Sequence, residues 1–251
     1  MSKTPHIELD YIQDVIDVRK IDPSPYQHRR HFDKDKLKEL AVSIQSEGLI
    51  EPIIVRPKSD GYELIAGERR LRAVRDFTEM ETIQAQIVIA SNLQARRISA
   101  AENLQREDLS AIESIEAIVD IVDAELIEDK EYASMGKTPA DRVKILLGKL
   151  DSVRRSKERG YDVSEEIRHT SNKFVGRVEN IFANLPKPLE WLSFLNHDLP
   201  LLMDICKEVQ DISIKHNPWP RPGLRSVGIR TLLAKYYDHH LICHRCRTSA
   251  G

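Results

Sequence analysis

The sequence has no apolar run near the roughly 18 residues that a bilayer-spanning helix needs, so nothing in it predicts a membrane segment. The N-terminal stretch MSKTPHIELDYIQDV lacks the apolar core of a secretory signal. Cysteine is scarce, with three in 251 residues and no even framework for disulfides, which favours a reducing compartment. We therefore expect a cytoplasmic protein with no membrane partner.

An overall excess of basic residues is also lacking, because the formal net charge is −2, which argues against a uniformly basic nucleic-acid coat. The charges are nevertheless distributed unevenly along the chain. Acids dominate residues 101–131, whereas bases lead in residues 141–177 and in the tail after Lys215. A local basic patch is sufficient for DNA binding, so this pattern predicts segments with separate tasks.

Turn and cap signals predict a compact α+β module that ends near residue 92. Residues 17–27 read as a strand that runs into a proline-rich turn, and residues 51–67 as two short strands. Between them, a helix is predicted to begin after Asp33 as its N-cap and to end at Gly48, where a left-handed residue is favoured.

Everything beyond residue 92 reads as helical, apart from one polar stretch. The predicted helices span residues 94–107, 110–126, 139–150 and 172–184. Ser110 and Glu113 form a capping-box pattern, and Thr138 precedes Pro139 as an N-cap. Residues 151–170 are polar and charged, so we expect a mobile insertion between the last two helices.

The stretch YELIAGERRLRAVRDF, residues 62–77, ends an apolar strand on glycine and then places four charges in about one helical turn. A helix that begins after Gly67 presents free backbone N–H groups and its positive dipole end, which suit a phosphate group together with Arg69, Arg70 and Arg72. Glu68 would repel phosphate unless it holds a metal ion or a water molecule. The alternative is an ordinary helix start that faces solvent, and this turn alone does not decide between the two.

A second charged stretch, AENLQREDL, carries Glu102, Asn103, Gln105 and Arg106 within about one helical turn. Acid, amide and guanidinium groups together suit a magnesium-bound triphosphate. Taken alone, the stretch is equally typical of a solvated helix.

Four segments together resemble the ParB partition-protein family: PSPYQHRRHF, LAVSIQSEGLIEPIIVR, GYELIAGERRLRAV and AENLQREDLSAIESIEA. They occur in the family's order and near its spacing, over roughly residues 15–125. The resemblance implies an α+β fold class, with a small ParB/sulfiredoxin-like α/β N-terminal domain followed by an all-α helix-turn-helix domain. It also implies a homodimer that CTP and Mg²⁺ close into a clamp on double-stranded DNA with a centromere-like site, and a partition ATPase as partner.

Carried over residue by residue, the resemblance implies a nucleotide-binding set. Its members are Gln27, Arg29, Gly67, Glu68, Arg69, Arg70, Asn103 and Arg106. Glu102 and Asn103 would hold the Mg²⁺, and Glu68 and Glu102 are the candidate catalytic carboxylates of a slow CTP hydrolysis. His28 stands where the family usually has proline.

The predicted helix at 172–184 has a polar face that includes Lys173, Arg177 and Asn180. Arginine and lysine suit guanine edges and asparagine suits adenine, so this face is a candidate for reading a major groove. Arg154 and Arg155 are candidates for phosphate contact. The alternatives are an exposed polar face on a packing helix and a disordered basic insertion.

The predicted segments are an N-terminal nucleotide-binding domain over 1–92, linking helices over 93–132, a helical DNA-binding domain over 133–212, and a basic C-terminal helix and tail over 213–251. The Cys- and His-containing end of that tail is interpreted as flexible rather than as a zinc site, because no second half with finger-like spacing is present. Two other functions remain open: a ParB-like nuclease, for which Glu68 and Glu102 are the only attractive carboxylate pair, and a regulator of a mobile element without nucleotide switching.

Overall fold

The computed structural model describes residues 10–26, 32–105, 109–204 and 210. The chain forms two compact units, Met1–Glu102 and Asn103–Gly251. The predicted basic C-terminal helix and the Cys- and His-containing tail lie outside the described residues. Within the described ranges, no helix is both long enough and apolar enough to cross a membrane.

The first unit is built on a five-stranded mixed sheet with the strand order β1-β5-β3-β4-β2. Antiparallel pairing joins β1 to β5 and β3 to β4, whereas β3–β5 and β2–β4 are parallel. The third helix, α3, continues past the last residue of this unit. The strands and α-helices are β1 (Tyr11–Asp17), β2 (Ile21–Asp22), α1 (Lys34–Glu47), β3 (Ile53–Lys58), β4 (Gly61–Ala66), α2 (Glu68–Phe77), β5 (Thr82–Val88) and α3 (Asn92–Gln105).

Two apolar clusters hold this sheet and its helices together. The larger cluster joins α1 and α2 to the sheet, and it includes Ala41, Val55, Leu71 and Val74. The smaller cluster consists of Ile65, Val88 and Ala95, with partly buried neighbours from β3 and α3. Apolar side chains removed from water in this way provide the main stabilisation of the unit.

The predicted ends of α1 are confirmed. The Asp33 carboxylate accepts hydrogen bonds from the backbone N–H groups of Asp35 and Lys36, and Gly48 has a φ of +81° at the C-terminal end. These caps satisfy polar groups that a helix cannot satisfy internally, so they fix where α1 begins and ends.

The regular elements of the second unit are all helices in the residues that the structure describes. Both N-caps predicted here are confirmed, because Ser110 with Glu113 and Thr138 with Asp141 form complete capping boxes. A short π-helical segment, Phe194–Asp198, precedes the last described helix. The helices are α4 (Ala111–Leu126), α5 (Lys130–Ala133), α6 (Pro139–Arg159), α7 (Glu165–Ala183), α8 (Trp191–Ser193) and α9 (Leu199–Met203).

The prediction of a mobile insertion at residues 151–170 is wrong. Most of these residues extend α6 and α7, and only residues 160–164 connect the two helices. Gly160, with a φ of +72°, ends α6, and the Ser164 hydroxyl caps α7. The expected α+β fold class, with a helical C-terminal part, is confirmed.

A buried ion pair ties α4 to α6. The Asp123 carboxylate has no exposed surface, and it accepts hydrogen bonds from Arg142 Nε at 2.8 Å and Arg142 Nη2 at 2.9 Å. The Tyr132 hydroxyl donates to the same carboxylate at 3.0 Å, and burial raises the pKa of that hydroxyl far above its usual range. A buried charge is tolerated only when it is paired in this way.

We predict that Asp123→Asn destabilises the protein by about 3–5 kcal/mol, because it leaves the Arg142 guanidinium without its counter-charge. Tyr132→Phe removes one hydrogen bond and is expected to cost about 1 kcal/mol. Urea unfolding followed by circular dichroism measures both changes. Asp162→Asn, which removes an exposed partner of Arg168, is the control and should cost no more than about 1 kcal/mol. Equal losses for Asp123→Asn and Asp162→Asn would contradict the importance of the buried pair.

Candidate functional site

The turn between β4 and α2 can be made only with glycine at position 67. Gly67 has a φ of +102°, in the left-handed region, and it is the N-cap of α2. A Cβ atom at this position would lie 2.8 Å from Ile53 Cγ2 and 3.3 Å from Ile53 Cα. Backbone conformation and close packing on β3 therefore both exclude a side chain here.

The N-terminus of α2 has no side-chain cap. The first N–H groups of a helix have no partner within the helix, and the helix dipole adds positive potential at the same end. Arg69 and Arg70 follow in the first turn. This end of α2 can therefore accept a phosphate group without displacing a capping side chain.

Glu68 is buried, with 3% of its surface exposed, so the interpretation of this turn as an ordinary solvated helix face does not hold for it. Its Oε1 accepts a hydrogen bond from Arg72 Nε at 2.7 Å, and the Arg72 guanidinium lies 4.0 Å from the centre of the Phe32 ring. Its Oε2 is buried and has no hydrogen-bond partner among the described residues. A buried acceptor of this kind suits a water molecule or a metal ion at the site.

Arg72 and Arg70 make contacts in the structure that the sequence did not predict. Arg72, expected beside the phosphate-binding arginines, holds Glu68 instead. Arg70 Nη1 donates to the carbonyl oxygens of Glu51 at 2.7 Å and Pro52 at 3.0 Å, which anchors the first turn of α2 to the chain before β3. The i, i+4 spacing of Glu68 and Arg72 was the signal for their pair.

The smaller apolar cluster brings together residues that adjoin all three predicted nucleotide-binding segments. Ile65, two residues before Gly67, packs in this cluster with Ala95 of α3. Tyr26, which directly precedes Gln27, and Ile98 of α3 pack against it. The Ser99 hydroxyl also donates to the Tyr26 carbonyl oxygen at 3.3 Å.

Helical spacing then places Glu102 on the face of α3 that carries Ala95 and Ile98, because these positions are seven and four residues before it. Asn103 follows and is buried, with 1% of its surface exposed. Gln27, Arg29 and Arg106 lie outside the described residues. In the described ranges, no group of three or more His, Cys, Asp or Glu side chains is arranged so that it could hold a metal ion.

Two candidate DNA contacts, Arg154 and Arg155, lie on α6 and are paired within that helix. Arg154 donates to Asp151 Oδ1 at 2.8 and 3.0 Å and to Glu158 Oε1 at 2.6 Å. Arg155 Nε lies 3.0 Å from Asp151 Oδ2. The carboxylates beside Arg154, above all Asp151, raise the pKa of the guanidinium.

The other candidates, Lys173, Arg177 and Asn180, lie on α7. Lys173 Nζ donates to Asp129 Oδ1 at 2.8 Å and to Glu131 Oε2 at 3.0 Å. These hydrogen bonds raise the pKa of Lys173, and the bond to Asp129 has the larger effect. The same bond lowers the pKa of Asp129. Arg177 donates to the Glu125 carbonyl oxygen at 2.9 Å. Asn180 Oδ1 accepts a hydrogen bond from Asn184 Nδ2 at 3.0 Å.

Residues 3–104 match the ParB N-terminal domain family. Over 129 residues, 50% of this chain and 48% of the relative, the sequence is 38% identical to the chromosome-partitioning protein Spo0J of Thermus thermophilus. Over 176 residues, 70% of this chain and 52% of the relative, it is 35% identical to a probable plasmid-partitioning protein ParB of the same organism. The chain thus spans about half the length of these curated relatives, and the resemblance found in the motifs is confirmed.

A solved structure of the C-terminally truncated chromosome-partitioning protein ParB from Caulobacter crescentus, complexed with CTP-gamma-S, is 22% identical. The match covers 66% of this chain and 98% of that chain, with a TM-score of 0.36.

We predict that Gly67→Ala destabilises the first unit. A strained backbone alone is expected to cost about 1–3 kcal/mol, and the loss should be larger because the new methyl group also meets Ile53. Urea unfolding measures the loss. Gly48→Ala is the matched control, since Gly48 also has a positive φ but nothing lies within 4 Å of the added Cβ. An equal loss in both variants would contradict the packing requirement at position 67.

Proposed function

We propose that this protein is a CTP-dependent DNA-binding partition protein, a ParB-like clamp, because residues 3–104 match the ParB N-terminal domain family. It acts in the segregation of a plasmid or chromosome. It works as a homodimer on double-stranded DNA with a centromere-like site, in the cytoplasm on nucleoid or plasmid DNA, and a partition ATPase is its partner.

One observation carries this proposal: the cluster around Ile65 joins residues next to each predicted nucleotide-binding segment. Tyr26 precedes Gln27 and Arg29, Ile65 precedes the Gly67 turn, and Ile98 lies one helical turn before Glu102. Residues that adjoin segments distant in sequence therefore pack in one cluster. This supports a single site rather than three unrelated charged surfaces.

The residues present fit a magnesium-bound triphosphate. The uncapped N–H groups after Gly67 would bind phosphate oxygens, with Arg69 and Arg70 supplying positive charge. Asn103 and Glu102 offer the amide and carboxylate oxygens that Mg²⁺ accepts. When bound, Mg²⁺ would neutralise phosphate charge and help to orient the triphosphate.

Glu68 is the better placed of the two candidate catalytic carboxylates. The hydrogen bond from Arg72 Nε fixes one of its oxygens, which leaves Oε2 to accept a hydrogen bond from a water molecule. Such a carboxylate can orient a water or receive its proton during a slow CTP hydrolysis. Glu102 would instead offer a carboxylate oxygen to the Mg²⁺.

Switching between open and closed dimers follows from differential binding. A nucleotide shifts a two-state equilibrium only by its difference in affinity for the two states. CTP held by the Gly67 turn and by α3 would favour the closed dimer, and hydrolysis would release it. The DNA contacts are proposed to come from Lys173, Arg177 and Asn180 of α7 and from Arg154 and Arg155 of α6.

We predict that Arg70→Ala weakens CTP binding at least about tenfold, because it removes a charge beside the phosphates and the anchor of the α2 first turn. Specific DNA binding should remain, since the DNA contacts are proposed on other helices. Calorimetric titration with each of the four nucleoside triphosphates, with and without DNA, measures the affinity and the preference for CTP.

The control is Arg75→Ala, because Arg75 lies at the other end of the same helix and pairs with the exposed Asp76. It should bind CTP like the wild type. Unchanged CTP affinity in a folded Arg70→Ala variant would rule out the assigned phosphate site.

We further predict that replacing Lys173 and Arg177 together by glutamine weakens DNA binding. The slope of log affinity against log salt concentration, which is negative, should become shallower by about two, one for each phosphate that is no longer neutralised. Fluorescence anisotropy over a salt series measures both quantities. Arg168→Gln, which replaces an exposed cation paired with Asp162, is the control. A double variant with wild-type affinity and slope would remove α7 from the DNA interface.

A further inference from the structure

The two cations of α7 proposed to contact DNA are held by carboxylates of the preceding segment. We call Asp129, Glu131, Lys173 and Arg177 the acid clasp. Lys173 lies between both carboxylates, at 2.8 and 3.0 Å, and Arg177 Nη1 lies 3.8 Å from the other oxygen of Asp129. Two negative and two positive groups give the acid clasp no net charge.

The acids of the clasp are fixed in place, whereas its cations are the more accessible partners. Asp129 is the N-cap of α5, and Glu131 accepts a hydrogen bond from the Thr170 hydroxyl at 2.7 Å. Asp129 and Glu131 are 18% and 30% exposed, against 35% for Lys173 and 45% for Arg177. Both cations also lie over the ring of the buried Phe174, at 4.9 and 5.6 Å.

We propose that the acid clasp is an autoinhibitory contact, in which Asp129 and Glu131 hold Lys173 and Arg177 in the free protein, so that these cations must leave the carboxylates to bind the DNA backbone. This inference rests on the proposed DNA-binding role of α7. A phosphate group and a carboxylate present similar acceptor oxygens to the same ammonium and guanidinium donors, so the two compete for these donors.

The consequence is a penalty on non-specific DNA binding. Binding to any duplex sequence comes mainly from exchanging phosphate contacts for released counterions. When a cation already has a protein carboxylate as its partner, each new phosphate contact costs one ion pair. A site that also offers base contacts to α7 can compensate for that cost, so the acid clasp would increase the ratio of specific to non-specific affinity.

The test is the double variant Asp129→Asn, Glu131→Gln, in the full chain. Asparagine is as good an N-cap as aspartate, and the glutamine oxygen can still accept from Thr170, so the local structure is retained while both charges are removed. Fluorescence anisotropy with a fluorescein-labelled random-sequence duplex should show affinity higher by about tenfold. The cations no longer have to leave partly exposed ion pairs, and two carboxylates no longer repel the DNA phosphates. The salt slope should steepen by about one to two.

A matched control, Asp162→Asn with Glu166→Gln, changes the net charge equally but removes partners of Arg168 and Lys149. It should change random-duplex affinity much less than the clasp variant. Circular dichroism and thermal unfolding confirm that each variant is folded. Equal gains in the clasp and control variants would mean that general charge, not the acid clasp, sets the affinity, and would overturn the inference.

The outcomes also separate this inference from the proposed function. If glutamine at positions 173 and 177 weakens DNA binding but neutralising Asp129 and Glu131 changes nothing, the clasp is only structural and the DNA role of α7 stands. If neither double variant changes DNA binding, α7 is not the DNA-contacting helix, and the inference fails with that role.

Discussion

The close approach of Gly67 to β3 is the constraint on which the candidate nucleotide site depends. Because Gly67 has no side chain that would meet Ile53, the chain can leave the sheet in a left-handed turn and begin α2 at once. That turn leaves the first N–H groups of the helix uncapped and places Glu68 inside the protein. A bulkier turn would move the start of α2 away from the sheet, and the arginines of its first turn would move with it.

Charged side chains in both units are organised by their partners. Glu68 is held by Arg72, Asp123 by Arg142 and Tyr132, and Lys173 by two carboxylates. A paired carboxylate is held in a fixed orientation, which is what a catalytic or metal-binding oxygen requires. A net charge of −2 is compatible with local pairings of this kind.

The features that could be predicted from sequence are those determined within about four residues. The caps at Asp33, Ser110 and Thr138 are of this kind, because a capping side chain reaches only the next turn. The prediction for residues 151–170 is wrong because their composition is polar and few of them, such as Val153 and Thr170, are buried. Tertiary contacts stabilise such helices, and composition does not reveal them.

In the candidate site, too, the local motifs could be predicted from the sequence and the tertiary contacts could not. The Gly67 turn and the stretch at 102–106 were recognisable as motifs, and the resemblance assigned them to one nucleotide. The pairing of Lys173 with Asp129 spans 44 residues in sequence, and no local pattern predicts which of the many acids of the chain would be its partner. The contact of Arg70 with the backbone of Glu51 and Pro52 was equally invisible, because backbone carbonyl groups have no sequence signature.

The connection at residues 160–164 has a consequence for how this helical unit can vary. It joins α6 to α7, and the two arms contact each other, as in the hydrogen bond of Lys149 to Glu166. Turns added to or removed from both arms at this tip would leave the packing at the base, around the buried Val143 and Val178, in the same register. The length of the hairpin is thus a quantity that evolution can change without rebuilding the core beneath it.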